Sequence, residues 1–127
     1  MLYLNKAEQE LVEKNSSCFL KILKGCLKVK NENILIITDH NKKVDNNMAL
    51  MLAYGYYHAA KKKGWNVEML VQGVKKGFMQ AEPHIIDAIE KLPKKSTIYI
   101  YGPVVRGRKG EYRKDILSYK RRGFRKI

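Results

Sequence analysis

The arginines of this sequence are concentrated at one end of the chain. All six lie between residues 103 and 127, a segment that holds ten basic and two acidic residues and so contributes +8 of the formal net charge of +14. Arginine offers a planar fork of donors that suits phosphate and carboxylate groups, whereas lysine is a flexible, hydrated point charge. The arginines are therefore the better candidates for a site with an anionic partner, and the earlier lysines indicate a solvated surface.

A glycine-rich basic loop, Gly102–Lys109, follows a predicted strand and precedes a predicted helix. The phosphate-binding loop of nucleoside triphosphatases has this position. Arg108 and Lys109 stand where that motif needs a lysine and a magnesium-binding hydroxyl, and Pro103 removes a backbone donor, so this chemistry is excluded. We interpret the loop either as a solvated loop or interface with missing protein, or as an anion site formed by four basic side chains: Arg106, Arg108, Lys109 and Arg113.

Asp39 and His40 are adjacent at the end of another predicted strand. Ligands of open parallel sheets bind beyond the carboxyl ends of the strands, so this pair is a candidate for acid–base chemistry in a crevice. The sequence shows neither a nucleophile nor a metal partner nearby, and hydrogen bonding within a loop is the simpler interpretation. The histidines at positions 40, 58 and 84 lack metal-ligand spacing, so we predict no metal site and no cofactor bound by this chain.

Two cysteines, Cys18 and Cys26, are separated by seven residues. That spacing matches neither a disulfide framework nor half of a zinc site, so we expect buried free thiols. The sequence also contains no apolar run of about 18 residues and begins without a secretory signal. We therefore expect a cytoplasmic protein that does not associate with membranes.

Hydrophobic periodicity predicts alternating helices and strands. The order indicates a Rossmann-like three-layer αβα fold with a parallel sheet of three to four strands, preceded by an N-terminal helix. We expect residues 1–28 to form the helical segment and residues 29–127 the α/β domain. The predicted elements are a helix over 5–27, a strand over 34–38, a helix over 48–63 capped by Asp45, a strand over 67–71, a helix over 83–92, a strand over 97–101, a helix over 111–122, and the start of a fourth strand at 124–127.

The segment from Cys26 to Asp39 leads from a helix through a polar turn into an apolar strand and ends in aspartate. It resembles the opening of the metallo-aminopeptidase family of the aminopeptidase S/T (leucyl aminopeptidase) type, although Asn31 replaces the usual glycine. The order of later elements is also similar to that family. The resemblance implies a Rossmann-like N-terminal half of a peptidase that releases N-terminal residues with a two-metal centre.

The family's metal ligands belong to a second half beyond Ile127, so no catalytic or metal-binding residue can be assigned to this chain. The resemblance therefore implies a truncated, inactive domain that packs against a missing C-terminal domain or a homodimer partner. A second hypothesis is a small basic α/β module that binds nucleic acid or another polyanion through its arginine-rich C-terminal part.

Overall fold

A computed structural model describes residues 3–30, 32–40, 47–75, 79–93, 117–118 and 121–123. The chain divides into two compact units, residues 1–92 and 93–127. The first unit is α/β. Its elements are α1 (Lys6–Lys14), α2 (Ser16–Lys21), a π-helical segment (Ile22–Cys26), β1 (Ile34–His40), α3 (Met48–Lys63), β2 (Val67–Gly73) and α4 (Pro83–Glu90).

The predicted N-terminal helix is divided into three pieces. Asn5 and Glu8 form a capping box at the start of α1, with Glu8 N–H donating to Asn5 Oδ1 over 2.8 Å. The helix is interrupted at Asn15, whose side-chain amide donates to the carbonyl of Leu11 over 2.8 Å. Asparagine competes for backbone groups in this way, and this explains why the apolar periodicity continues where the helix does not.

The two strands pair in parallel, as the alternation of strand, helix and strand predicts. Their register runs from Ile34 opposite Val67 to His40 opposite Gly73. Side chains of a strand alternate between the two faces, and Ile34, Ile36 and Thr38 of β1 are buried or half-buried while Leu35 and Ile37 are exposed. One face of β1 is therefore exposed at Leu35 and Ile37.

Helix α3 connects the two strands and packs against both of them. It ends at Gly64, whose φ of 83° is a left-handed conformation that a residue without a Cβ adopts easily, as the sequence predicts. Its N-cap is Asn47, without a side-chain cap, and the predicted cap Asp45 lies outside the described residues. Small side chains on its buried face allow close packing: Ala53, Gly55, Ala59 and Ala60.

The core lies where α3 meets α2, the π-helical segment and β2. It is formed by Leu23, Ala59, Ala60 and Val67, and Phe19 and Tyr56 pack against it with their rings edge to face at 5.1 Å. A Cβ at Gly55 would overlap the Phe19 ring, so glycine lets α2 approach α3 closely.

Both cysteines are exposed, so the prediction of buried thiols is wrong. The interruption at Asn15 and the π-helical segment change which side chains of residues 16–26 face α3. Phe19 and Leu23 are the side chains that pack into the core. Gly25 lies within the π-helical segment. The chain leaves the π-helical segment at Lys28, which has a φ of 57°, and Val29 N–H donates to the Leu23 carbonyl over 2.9 Å.

Helix α4 begins with Pro83 in its first turn, as predicted. The predicted strands at 97–101 and 124–127 lie outside the described residues, so a third and a fourth strand stay predictions. In the second unit, Leu117, Ser118 and Arg121 are helical, and Gly123 has a φ of 96° at the predicted helix end. Among the described residues, no helix has the length and apolar character that crossing a membrane requires.

Candidate functional site

The carboxyl end of β2 and the first turn of α4 are joined by side-chain hydrogen bonds. We refer to Gln72, Gly73, Lys75, Glu82 and His84 as the strand-end joint. Its residues come from the end of a strand and the start of a helix, the place where α/β proteins often hold ligands. In this chain they bind one another, and this determines what the site can do.

Glu82 is the centre of the strand-end joint. Its Oε1 accepts from the Gly73 amide over 2.8 Å and from Lys75 Nζ over 3.3 Å. Its own amide donates to Gln72 Oε1 over 3.2 Å. The hydrogen bond from Gly73 holds the pKa of the Glu82 carboxyl below its usual range, with desolvation opposing this and Lys75 reinforcing it. The carboxylate is thus held by donors from the end of β2 and from the loop that follows it.

His84 connects the same two elements on a second path. Its Nε2 lies 2.9 Å from the carbonyl oxygen of Val71, and since a carbonyl can only accept, Nε2 carries the proton. Its Nδ1 lies 3.6 Å from Glu82 Oε2.

Asp39 and His40 are the last residues of β1 rather than loop residues, and both are half-buried. The register places them opposite Gln72 and Gly73, so the sheet brings these predicted crevice residues alongside the strand-end joint. The ring of Tyr3 lies against His40, with centroids 4.8 Å apart. Whether Asp39 and His40 bind a ligand stays a prediction.

A second group of titratable side chains joins α1 to α3. Tyr54 donates its hydroxyl proton to Glu13 Oε1 over 2.6 Å, and His58 Nδ1 lies 3.9 Å from the same oxygen. Burial, together with this carboxylate and Tyr57, raises the pKa of Tyr54 to about 12. The tyrosine is therefore neutral at physiological pH and holds two helices together.

The chemistry of a metal centre is not assembled in the part of the chain that the structure describes. No three histidine, cysteine, aspartate or glutamate side chains there are close enough to share a metal ion. In the strand-end joint, the Gly73 amide and Lys75 Nζ donate hydrogen bonds to the Glu82 carboxylate. The joint therefore serves best as a fixed attachment for α4.

The four predicted anion-binding residues, Arg106, Arg108, Lys109 and Arg113, lie outside the described residues. Two other arginines of the basic segment, Arg121 and Arg122, are described and exposed. The amide of Arg122 donates to the Ser118 carbonyl over 3.1 Å. Anion binding by the basic segment thus stays a prediction.

Sequence reasoning missed the role of Glu82, Lys75 and Gln72. The sequence contains one local signal, a glutamate immediately before Pro83 at a predicted helix start, where acidic residues are favoured by the helix dipole. The partners of Glu82, however, are seven to ten residues away along the chain. Contacts of this kind depend on how the loop closes and have no periodic pattern.

Comparison with known proteins gives a match at the C-terminal end of the chain. Residues 80–127 match the family described as the UvrA interaction domain. A stretch of 48 residues of the chain is 42% identical to UvrABC system protein A of Rickettsia typhi and of Rickettsia conorii, and 40% identical to that of Bradyrhizobium diazoefficiens. The matched region is 38% of this chain and 5% of each of these relatives. No solved structure matches the chain.

These matches correct the interpretation as an aminopeptidase. The aminopeptidase resemblance depended on residues 26–39 and on the order of elements, and a helix leading through a turn into an apolar strand is common to many α/β proteins. The assignment to a hydrolase or metalloprotease, and to the N-terminal half of one, is therefore wrong. Residues 80–127, which include α4 and the arginine-rich segment, are instead similar to the UvrA interaction domain.

Proposed function

We propose that residues 80–127 are a protein-binding element whose partner is a protein of the UvrABC system, and that the chain acts in nucleotide excision repair. The observation that carries this proposal is the similarity of this segment to the UvrA interaction domain and to UvrABC system protein A of several bacteria. The relatives are far longer than the match, so their other activities are not transferred to this chain.

The charge of the segment supports a particular kind of partner surface. Ten basic residues lie between 103 and 127, and arginine forms bidentate bonds with carboxylates. We assign the four predicted anion-binding residues to this contact, so the partner should present aspartate and glutamate side chains. Complementary charge increases the association rate and favours the correct partner.

Binding of the full chain to purified proteins A, B and C of the Rickettsia typhi UvrABC system tests the proposal. We expect at least one of the three to bind, by calorimetry, and the double substitution Arg108→Glu with Arg113→Glu to weaken that binding by about tenfold or more. The matched control is Lys14→Glu with Lys62→Glu, which changes net charge equally outside the matched segment and should alter binding by less than about threefold.

Nucleic acid is the competing ligand for the arginines. If the chain binds none of the three proteins but binds duplex DNA, with log affinity falling against log salt at roughly −0.9 per phosphate contacted, the protein-binding proposal is wrong. The proposal is also wrong if both charge-reversal variants weaken protein binding equally, since net charge alone would then explain the association.

A further inference from the structure

Helix α4 carries apolar side chains that differ sharply in exposure. Ile85, in the first turn, is 2% exposed, whereas Ile86, Ile89 and Leu92 are 36%, 46% and 41% exposed. We refer to these three exposed residues as the α4 ridge. Large apolar side chains left in water on one short helix indicate a contact surface when they are neighbours, since isolated ones are common on any protein.

Helix geometry makes the three residues neighbours. Residues three or four apart lie on the same side of a helix, so Ile86, Ile89 and Leu92 form one row. The amide of Lys91 donates to the Asp87 carbonyl over 3.0 Å, and that of Leu92 donates to the Ile89 carbonyl over 3.2 Å. Helix α4 ends at Glu90, and the turn closed by these two bonds continues to Leu92.

The strand-end joint fixes the direction of this face. The Glu82 carboxylate and amide and the His84 ring all bond to the last three residues of β2, so the first turn of α4 is attached at several points. A helix held at its start presents its exposed side chains in one arrangement. Less conformational freedom is then lost on binding.

We infer that the α4 ridge is the apolar centre of the interface with the UvrABC-system partner and enters an apolar groove bordered by acidic side chains. This inference rests on the proposed function. The whole of α4 lies inside the segment that matches the UvrA interaction domain, so the ridge is continuous with the matched segment. Protein interfaces combine an apolar centre with polar and charged residues, and the matched segment also contains ten basic residues between 103 and 127.

The test compares two double variants of the full chain. Ile86→Ser with Ile89→Ser removes the ridge. Leu11→Ser with Leu52→Ser removes two exposed leucines on α1 and α3, which lie outside the matched segment. Against the Rickettsia typhi protein that binds the unaltered chain, we expect the first variant to bind about tenfold or more weakly and the second to bind within about twofold.

The outcomes separate the two proposals. If the unaltered chain binds none of the three proteins, the proposed function fails. If the chain binds and the ridge variant binds equally well, the ridge inference alone is wrong. It is also wrong if the ridge variant unfolds at a much lower temperature than the control, or if the ridge instead mediates self-association in sedimentation. Leu92→Glu, placed after the end of α4, gives a second variant that should weaken binding without altering the melting temperature.

Discussion

The region from Tyr3 to Lys75 and helix α4 are held in place in different ways. In the first region, α3 packs against α1, α2 and the sheet around a core of leucine, alanine and valine side chains. Helix α4 is attached by hydrogen bonds from its first turn and by the buried Ile85 side chain, whereas Ile86 and Ile89 face solvent. Residues 3–75 therefore form a packed scaffold, and α4 is a helix with exposed apolar side chains. Substitutions should affect these two regions differently.

Leu50→Ala should cause the largest loss of stability. Leu50 is 1% exposed in the first turn of α3, and truncating it should lower the free energy of unfolding by about 2–5 kcal/mol because a cavity remains. Leu52, two residues along the same helix, is 47% exposed and is the matched control. Urea titration measures both variants. Equal losses at the two positions would contradict the packing described for α3.

Gly55→Ala should have an intermediate effect. The added Cβ would overlap the Phe19 ring, and such overpacking costs about 1–3 kcal/mol, partly offset by roughly 1 kcal/mol of helix propensity. Gly25, where a Cβ would meet nothing within 4 Å, is the control and should tolerate alanine. If thermal unfolding shows that both variants match the unaltered chain, the close approach of α2 to α3 is wrong.

Glu82→Gln should have the smallest global effect and act on α4. The lowered pKa means that the carboxylate form stabilises the fold. This contribution is present above the unfolded pKa of about 4.3 and is lost as pH falls through the lower folded pKa. The melting temperatures of the variant and the unaltered chain should therefore differ at neutral pH and converge in acid.

Glu10→Gln is the matched control for that substitution. Glu10 forms an exposed pair with Lys6 at 3.9 Å, and pairs of this kind contribute little. Amide exchange should also be faster at Gly73 and through α4 in the Glu82 variant only. A Glu82 variant whose pH profile and exchange match those of the Glu10 variant would show that the strand-end joint does not hold α4.

The sequence predicted those elements whose signals are local. Gly64 and Pro83 marked the end of α3 and the start of α4, and two short, largely apolar segments located the strands. The continuous helix over residues 5–27 was wrong because the Asn15 side chain donates to the Leu11 carbonyl where the helix is interrupted, and this does not disturb the apolar period. The exposure of Cys18 and Cys26 followed from that same interruption.

The candidate site was predicted less completely than the fold. Periodicity located α4 but could not indicate that Glu82 and His84 reach β2, because such contacts join residues far apart along the chain. Composition led to the hypothesis that the arginine-rich segment binds an anionic partner, and this stays a prediction. The similarity to the UvrA interaction domain covers residues 80–127, which include that segment. The aminopeptidase resemblance failed because it used a helix-to-strand pattern that many α/β proteins share.

Amide hydrogen exchange of the full chain, with and without each of the Rickettsia typhi UvrABC proteins A, B and C, tests the central proposal most directly. Exchange reports protection segment by segment. We predict that one of these proteins slows exchange across residues 83–92 and leaves residues 48–73 unchanged. Protection confined to residues 48–73, or no protection with any of the three proteins, would contradict the assignment of residues 80–127 as the protein-binding element.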